Sequence, residues 1–497
     1  MRSPLGVSSI LFVPLFVTLA AGAETSPLLG SARMANAREQ NKESVRPPAR
    51  PSVGPVRFIT LAPGHFHAAL VQKQALQNVD PVVHVYAPLG FDLTEHLKRI
   101  VGFNARAEAP TNWQLEVHAT GDFLERFQKE KPGNVVVISG RNAAKIDLIE
   151  AAIDAGLHVL VDKPWIIEAG AFGQLQRVLG KAQAKGLVAY DIMTERFEPT
   201  NALQRALVND ESVFGRIDPG TAEDPGVYIE NVHHFMKVVA GRPNIRPTWF
   251  FDSREQGEGM ADTGTHLVDL VQWTLAPEQA LDHERDVEMV SAVRWPTQIS
   301  LRDFQAVTGT DGPFPGSLNG SVRDGKLEVY ANTQATYRLR GTHVKMASMW
   351  NWKARPGAGD WHYAVYRGTR ASVEVRQGIH QKFLPELYVV PRKAAERGAV
   401  GEALAVLVTK LANSFPGITM KPEGPAFRVL IPAALRTGHE AHFSEVTADF
   451  LGFLANRGTM PPWETSNMLA KYWVTTRATD LSRNVPAVGG IRLKAPR

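Results

Sequence analysis

The sequence predicts an α/β protein that begins with a doubly wound parallel sheet and continues into an α+β domain with a large, mainly antiparallel open sheet. Its 497 residues, 44% of them hydrophobic, suffice for two or three domains with ordinary cores. Between residues 56 and 161, short and almost wholly apolar strands alternate with amphipathic helical runs, as in parallel sheets covered on both faces. After about residue 197 the strands lengthen and acquire period-two patterning.

The composition excludes several classes of function. The chain has no cysteine, which removes disulfide scaffolds, thiolate zinc sites, iron–sulfur clusters and cysteine nucleophiles. Its 55 basic and 50 acidic residues give a net charge of +5 without a dense basic block. Nucleic acid is therefore not a predicted partner.

The first 23 residues predict a secretory signal peptide. Arg2 precedes the apolar run 10–21, and Ala21-Gly22-Ala23 offers small residues for cleavage after Ala23. We expect a periplasmic or extracellular protein without stable membrane insertion after cleavage; an uncleaved anchor is the alternative. Residues 24–55 are rich in Ser, Arg and Pro and predict a disordered tether.

The first domain is predicted to span residues 56–197. The pattern predicts strands at 56–61, 82–86, 115–118, 134–138 and 158–161, and helices at 65–76, 93–101, 123–130 and 143–155. Ligands of such sheets bind at the carboxyl ends of the strands. The turns after these strands are therefore where functional residues are expected.

The first of these turns departs from the usual dinucleotide pattern. It reads LAPGHFHAAL, in which Gly64 stands alone where GxGxxG would bring backbone amides close to a pyrophosphate. The second strand ends in Tyr86-Ala87-Pro88 without an acid to bind a ribose. A plain tight turn into a helix is the alternative interpretation.

Three further stretches occur in order along the chain. NVVVISGRNAAKIDLIEAAIDAGLHVLVDKPW covers residues 134–165, YDIMTERFEPTNALQRAL covers 190–207, and GEGMADTGTHLVDLVQW covers 257–273. Together they resemble the Gfo/Idh/MocA oxidoreductases, the glucose-fructose oxidoreductase and inositol dehydrogenase group. The strand that ends in Glu-Lys-Pro in that family ends here in Asp162-Lys163-Pro164.

The resemblance implies a Rossmann-like first domain, a nicotinamide cofactor and a sugar-type substrate. It implies that Lys163, His266 and Asp262 are catalytic. We expect the cofactor to be NAD or NADP, with tightly bound NAD favoured because an exported protein has no ready nicotinamide pool. The candidate cofactor-binding residues are Gly64, His65, Phe66, His67, Tyr86, Ser139, Asn142, Asp162, Lys163 and Pro164, and the candidate substrate residues are Arg196, Asp269, His233 and His234.

The residues themselves suggest how such a site works. Burial at a strand end should depress the pKa of Lys163 and make it a proton acceptor or an electrostatic clamp. Asp262 and His266 are four residues apart, so on a helix they would lie on one face, within reach of each other. The alternatives without a function are that Lys163 reaches solvent, Asp262 caps a helix and His266 packs in the core.

A metal site is a competing interpretation. His65 with His67, His233 with His234, and His266 with Asp269 could supply ligands. None of these spacings matches a compact metal motif, and fifteen histidines produce such pairs by chance. We therefore predict no metal.

Residues 198–497 are predicted to form the substrate and oligomerisation domain, with C-terminal helices that pack back on the body. Trp350, Trp352, Trp361, His362, Tyr363 and Tyr366 could stack on a sugar, although core packing is at least as good an explanation. The open sheet of the resembling family often forms oligomers, so a homo-oligomer is expected.

These observations predict an exported NAD(P)-dependent oxidoreductase that acts on a sugar or sugar-derived alcohol by hydride transfer. The alternative is a redox-assisted glycoside hydrolase or lyase that holds NAD tightly and regenerates it in place. A second alternative is a non-catalytic sugar- or metal-binding protein on the same fold.

Overall fold

The computed structural model describes residues 54–239 and 242–486. The predicted signal peptide and all but the last two residues of the predicted tether lie outside this range. Among the described residues, no helix combines the length and apolar character needed to cross a membrane.

The first domain is built on a six-stranded parallel sheet. Its strands are β1 (Phe58–Leu61), β2 (Val82–Ala87), β3 (Gln114–Ala119), β4 (Val135–Ile138), β5 (His158–Asp162) and β6 (Ala189–Ile192). They lie in the order β3-β2-β1-β4-β5-β6, which is that of a doubly wound dinucleotide-binding sheet. The predicted fold class is confirmed, and β1 and β4 lie at the switch point where ligands bind.

Helices cover both faces of this sheet, and its central strands are therefore buried on both sides. Every residue of β1 and β4 is buried. The helices are α1 (His67–Leu70), α2 (Phe91–Ala105), α3 (Phe123–Glu130), α4 (Lys145–Asp154) and α5 (Phe172–Ala184).

The first helix is much shorter than the sequence predicts. A helix over 65–76 was expected, but α1 is a single turn at His67–Leu70. Tertiary hydrogen bonds use backbone carbonyls just beyond α1: Trp113 Nε1 donates to Gln72 O at 2.7 Å, which a longer helix would need for Leu76, and Arg106 Nη2 donates to Lys73 O at 2.6 Å. Apolar spacing alone could not reveal this competition.

The second sheet has ten strands. They are β7 (Val227–Met236), β10 (Val287–Ser300), β11 (Val322–Arg323), β12 (Lys326–Leu339), β13 (Thr342–Lys353), β14 (Trp361–Arg367), β15 (Ala371–Gln377), β16 (Glu386–Pro391), β17 (Thr419–Glu423) and β18 (Ala426–Leu430), and the short pair β8 (Val238–Val239) and β9 (Arg242–Pro243) forms a separate ribbon. The main order is β10-β12-β13-β7-β14-β15-β16-β18-β17, with β11 beside β12. Only the pairing of β7 with β13 is parallel within this described sheet, so it is mainly antiparallel as predicted.

The remaining described α-helices follow β6 in the chain. They are α6 (Pro199–Val208), α7 (Ser253–Gln256), α8 (Gly264–Leu275), α9 (Leu301–Thr308), α10 (Arg397–Leu411), α11 (His439–Ala455) and α12 (Glu464–Arg483). The last helix, α12, returns to the first domain, where Met468 and Tyr472 join the apolar core beneath the parallel sheet. The same helix packs on α8 and β10, so it holds the two sheets together.

Candidate active site

The candidate active site lies where the carboxyl ends of β1, β4 and β5 face the segment that leads into α8. Lys163 directly follows β5, and its Nζ donates hydrogen bonds to Asp262 Oδ1 at 2.7 Å and to the Asp262 carbonyl at 3.2 Å. Both side chains are almost fully buried. The structure therefore brings together two of the three residues that the sequence marks as catalytic.

The charge on Lys163 differs from the expectation. Burial does lower the pKa of Lys163, but the carboxylates of Asp262 and Asp162 outweigh burial, so the net shift of the pKa is upward. The pKa of Asp262 is lowered, because Lys163 outweighs the cost of burying the carboxylate. Lys163 is thus a fixed cation and not a proton acceptor. The lowered pKa expected from the sequence took account of the burial of Lys163 but not of Asp262, which the second domain supplies.

His266, the third predicted catalytic residue, is a neutral imidazole. Burial first and the neighbouring Lys163 second lower its pKa to about 4. Its Nδ1 is buried and has no hydrogen-bond partner among the residues described, while the ring as a whole is partly exposed. The imidazole is therefore in the form that can accept a proton from a bound hydroxyl group, although burial and the adjacent cation make it a weaker base than a free histidine.

A second acid–base pair adjoins His266. Glu195 Oε1 lies 3.3 Å from His439 Nδ1, with side chains 34% and 41% exposed. Burial raises the pKa of Glu195, but His439, His266 and His442 outweigh it and the net shift is downward. Neither residue was predicted. His439 is the first residue of α11, far from the motifs in sequence, and no local pattern marks it.

The histidines of the first turn converge on Asp162. His65 Nδ1 and His67 Nδ1 lie 3.2 Å and 3.0 Å from Asp162 Oδ2, and Ser139 Oγ donates to the same oxygen at 3.0 Å. Burial is the main reason that the pKa of each histidine is lowered. The pKa of Asp162 is also lowered, because the two histidines outweigh its burial. Four predicted cofactor residues therefore form one cluster.

The backbone of the first turn is closely packed onto the turn after β4. The amides of Gly64 and His65 both donate to Ser139 O, at 3.0 and 3.1 Å. A Cβ added at Gly140 would lie 2.4 Å from Ala62 O, so only glycine fits there. Ala62 itself has φ +46°, a left-handed conformation that favours glycine.

The remaining predicted cofactor residues are hydrogen-bonded to, or packed against, other residues of the chain. Asn142 Nδ2 donates to Gln256 O at 2.7 Å, and the Tyr86 hydroxyl donates to Glu130 at 2.6 Å. Phe66 is partly buried against the histidine rings on either side of it. Pro164 is buried and follows Lys163 through a cis peptide bond.

Two predicted substrate residues belong to a buried ionic network. Arg196 binds Asp269 through two hydrogen bonds of 2.7 Å and also contacts Glu464 at 2.6 Å. Lys471 lies 3.1 Å from Asp269 and 2.9 Å from Asp191. Because Glu464 and Lys471 lie on α12, the network fastens this helix between the two domains.

The other two predicted substrate residues, His233 and His234, lie near the end of β7. Their Nδ1 atoms contact the two oxygens of Asp360 at 2.9 and 3.0 Å, and Lys237 also binds this carboxylate. His233 contributes to the lowered pKa of Asp262, so its imidazole lies within electrostatic range of the Lys163 site. Trp350, considered for sugar stacking, packs against Phe235 and Phe250 in a core.

A parallel sheet in this order, joined to an open antiparallel sheet, is the architecture of the Gfo/Idh/MocA-type oxidoreductases. Residues 203–483, more than half of the chain, match the family described as "Putative oxidoreductase C terminal domain". The chain belongs to this oxidoreductase family. No curated protein matches the chain.

Solved structures agree with this assignment. A "putative oxidoreductase" from Parabacteroides merdae is 44% identical, with 87% of this chain and 98% of that chain covered and a TM-score of 0.85. Levoglucosan dehydrogenase, solved with NADH and levoglucosan, is 16% identical, with 86% and 97% covered and a TM-score of 0.54. A variant of KijD10, a 3-ketoreductase from Actinomadura kijaniata solved with NADP and TDP-benzene, is 15% identical, with 86% and 98% covered and a TM-score of 0.52. The two more distant structures support the fold.

A nicotinamide cofactor fits the end of the site formed by Lys163, Asp262 and His266 better than it fits the turn after β1. Lys163, Asp262 and His266 offer a fixed charge pair and a proton acceptor at the strand ends, as the reacting half of such a cofactor requires. The turn after β1 does not present the usual amides to a pyrophosphate, because Gly64 and His65 donate to Ser139. Any diphosphate must therefore be held by other groups.

Proposed function

We propose that this chain is an NAD(P)-dependent oxidoreductase that transfers a hydride to or from a sugar or sugar-derived alcohol. The observation that carries the proposal is the buried Lys163–Asp262 pair beside the neutral His266. The levoglucosan dehydrogenase and the 3-ketoreductase on the same fold were solved with NADH and NADP, and they support both the cofactor and the substrate class.

The roles of the three residues follow from their charges. His266 takes the proton of the carbinol hydroxyl, because it is neutral and partly exposed. Lys163 remains an ammonium ion and stabilises negative charge on that oxygen. Asp262 orients Lys163 through the 2.7 Å hydrogen bond. A nicotinamide, when bound, supplies the hydride acceptor or donor.

Exposed groups near the first turn are available for the cofactor's phosphates. Arg141 follows the turn after β4, its side chain is 54% exposed, and it lies 3.3 Å from Asp92. The same turn packs on Gly64, which places Arg141 beside the expected diphosphate position. We propose that Arg141 binds a phosphate and that tightly held NAD is the cofactor.

The direct test is an assay with sugars and nicotinamide. The purified protein is denatured to release any bound NAD(H) or NADP(H), and the native protein is then mixed with either cofactor and a panel of free sugars. We expect bound or added cofactor to change redox state with substrate, and His266→Gln to abolish this change. If no nicotinamide binds and no sugar changes its redox state, the proposal is wrong.

Redox-assisted cleavage of a glycoside is the second candidate. It is favoured by the Glu195–His439 pair beside His266, since such a cycle needs a further acid or base for the adjacent carbon and the leaving group. Glycosides distinguish the two functions. Cleavage without net reduction of cofactor supports the second candidate, and accumulation of an oxidised sugar with reduced cofactor supports the first.

We also propose that the protein is exported and forms a homo-oligomer. The export proposal rests on the apolar run 10–21 and the small residues before Glu24. Mass spectrometry of the mature protein should find Glu24 at the N-terminus, and light scattering should give a mass above that of one chain. An intact N-terminus or a monomeric mass would contradict the respective proposal.

A further inference from the structure

The cluster of His65, His67 and Asp162 has the chemistry of a metal site. Its side chains come from the turn after β1 (His65), the first residue of α1 (His67) and the last residue of β5 (Asp162), which the parallel sheet brings together. We propose that these three residues bind a divalent transition-metal ion at the carboxyl edge of the sheet. This inference does not depend on the hydride-transfer proposal.

The distances in the cluster suit coordination. The Nδ1 atoms of His65 and His67 lie 3.2 and 3.0 Å from Asp162 Oδ2, and all three ligand atoms are within 4.8 Å of one another. Two ligands bound at about 2.1 Å to one tetrahedral or octahedral metal are roughly 3.0–3.4 Å apart. Both histidine–carboxylate distances therefore already match those between neighbouring ligands of one metal ion.

The hydrogen bonding at Asp162 also favours a metal. Three groups contact the single oxygen Oδ2, namely His65, His67 and the Ser139 hydroxyl. A carboxylate oxygen has about two lone-pair sites, so this oxygen cannot accept well-aligned hydrogen bonds from both imidazoles and the hydroxyl at once. A metal would take one lone pair, Ser139 would keep the other, and each imidazole would give its own Nδ1 lone pair to the metal.

Neighbouring residues hold Asp162 in place by hydrogen bonds, and one side of the cluster is accessible to solvent. The Ser139 hydroxyl orients the carboxylate, and Lys145 Nζ donates to the Asp162 carbonyl at 3.0 Å. Such outer contacts are what hold metal ligands in place. The His65 side chain is 20% exposed, which leaves access for water or a substrate oxygen. Two imidazoles and one carboxylate with open positions are typical of catalytic zinc and non-haem iron sites.

A second His-His-Asp cluster in the chain provides an internal comparison. His233 and His234 contact different oxygens of Asp360, and the ammonium group of Lys237 also binds that carboxylate. An ammonium group therefore already contacts the Asp360 carboxylate directly, whereas in the described part of the chain the carboxylate of Asp162 forms ion pairs with the two histidines alone. Among the described residues, His65, His67 and Asp162 are the one group of three whose ligand atoms converge as a metal requires.

The experiment is titration of the chelator-treated full-length protein with Zn²⁺ by calorimetry, and with Co²⁺ by visible absorption. We expect one site per chain and Co²⁺ bands typical of nitrogen and oxygen ligands. Asp162→Asn and His65→Gln should each weaken Zn²⁺ binding by at least about 10–100-fold, and Ser139→Ala by about tenfold. The partly exposed His65 provides a variant that should still fold if Asp162→Asn does not.

The matched control is His233→Gln, in the other cluster, which should leave Zn²⁺ binding unchanged. Circular dichroism confirms that each variant is folded. Absence of a Zn²⁺ site in the wild-type protein would overturn the proposal. It would also be overturned if folded His65→Gln bound Zn²⁺ as the wild type does, or if His233→Gln lost the site as well.

Discussion

Lys163 Nζ donates a 2.7 Å hydrogen bond to Asp262 Oδ1 and thereby joins the end of the parallel sheet to the segment that begins α8. Both side chains are almost fully buried, and the pair keeps both of them charged. This one contact places a fixed cation beside the neutral His266. It also makes each partner dependent on the other for stability.

Removal of the Lys163 ammonium group should abolish catalysis. We expect Lys163→Met to lower kcat/KM by about 100-fold or more, because the developing alkoxide loses its counter-charge. Lys181→Met is the control, since Lys181 pairs with Glu150 and Asp154 on the surface of the first domain and should leave kcat/KM unchanged.

Loss of folding is separated from loss of chemistry by a second variant. Lys163→Met alone leaves the Asp262 carboxylate buried without its partner, which is costly. Lys163→Met combined with Asp262→Asn removes both charges and should recover thermal stability without recovering activity. Recovery of activity in the double variant would show that Lys163 has no part in the chemistry.

His266 should control the acid limb of the pH profile. Its pKa of about 4 means that the imidazole is neutral, and so able to accept a proton, at every pH above that value. We expect kcat/KM to fall as the pH drops towards 4 and His266→Gln to remove both this limb and most of the activity. Circular dichroism at each pH excludes unfolding as the cause. An acid limb unchanged in His266→Gln would assign it to another group.

The sequence could predict which residues meet at the strand ends, but not their state of charge. Ligands of parallel sheets bind at the carboxyl ends of the strands, so functional residues were expected in the turns that hold Lys163 and the first-turn histidines. The sign of the Lys163 pKa shift depends on Asp262, which is 99 residues away. A prediction from burial alone gives a lowered pKa for Lys163, which is the opposite of the shift in the structure.

The sequence motifs could not predict the contacts that the C-terminal helices make with the site. Arg196 and Asp269 lie in recognisable motifs and were expected at a substrate, yet they pair with each other and with side chains of α12. Likewise, His439 reaches Glu195 because α11 folds back across the first domain. Such pairings are fixed by packing between elements far apart in the chain, which leaves no periodic signal in the sequence.

The network around Asp269 should serve stability more than substrate binding. Asp269→Asn removes the carboxylate that Arg196 and Lys471 share, while Arg196 keeps Glu464 and Lys471 keeps Asp191, and we expect a loss of about 1.5–3 kcal/mol in the free energy of unfolding. The KM for the sugar should change little. Asp218→Asn is the control, because its pair with Arg392 is 3.4 Å apart and well exposed, and pairs of that kind contribute less than about 1 kcal/mol. A raised KM with unchanged stability would instead place Asp269 at the substrate.

His96 should make the first domain sensitive to acid. It is buried on α2, neither ring nitrogen has a partner among the described residues, and burial lowers its pKa to about 4. An unfolded histidine titrates near 6.5, so the unfolded state binds a proton that the folded state refuses between these values. His96 therefore costs stability as the pH falls from about 6.5 to 4, by up to about 3 kcal/mol.

His96→Leu removes this linkage. We expect the variant to match or exceed the wild type in stability at pH 7, because two unsatisfied polar atoms are lost from the core. Its advantage should then widen as the pH falls to 5, measured by urea unfolding with circular dichroism at each pH. His380→Leu applies the same substitution at an exposed position and controls for the general effect of added leucine. If the advantage of His96→Leu over the wild type is the same at pH 7 and pH 5, His96 is not the group that couples stability to pH.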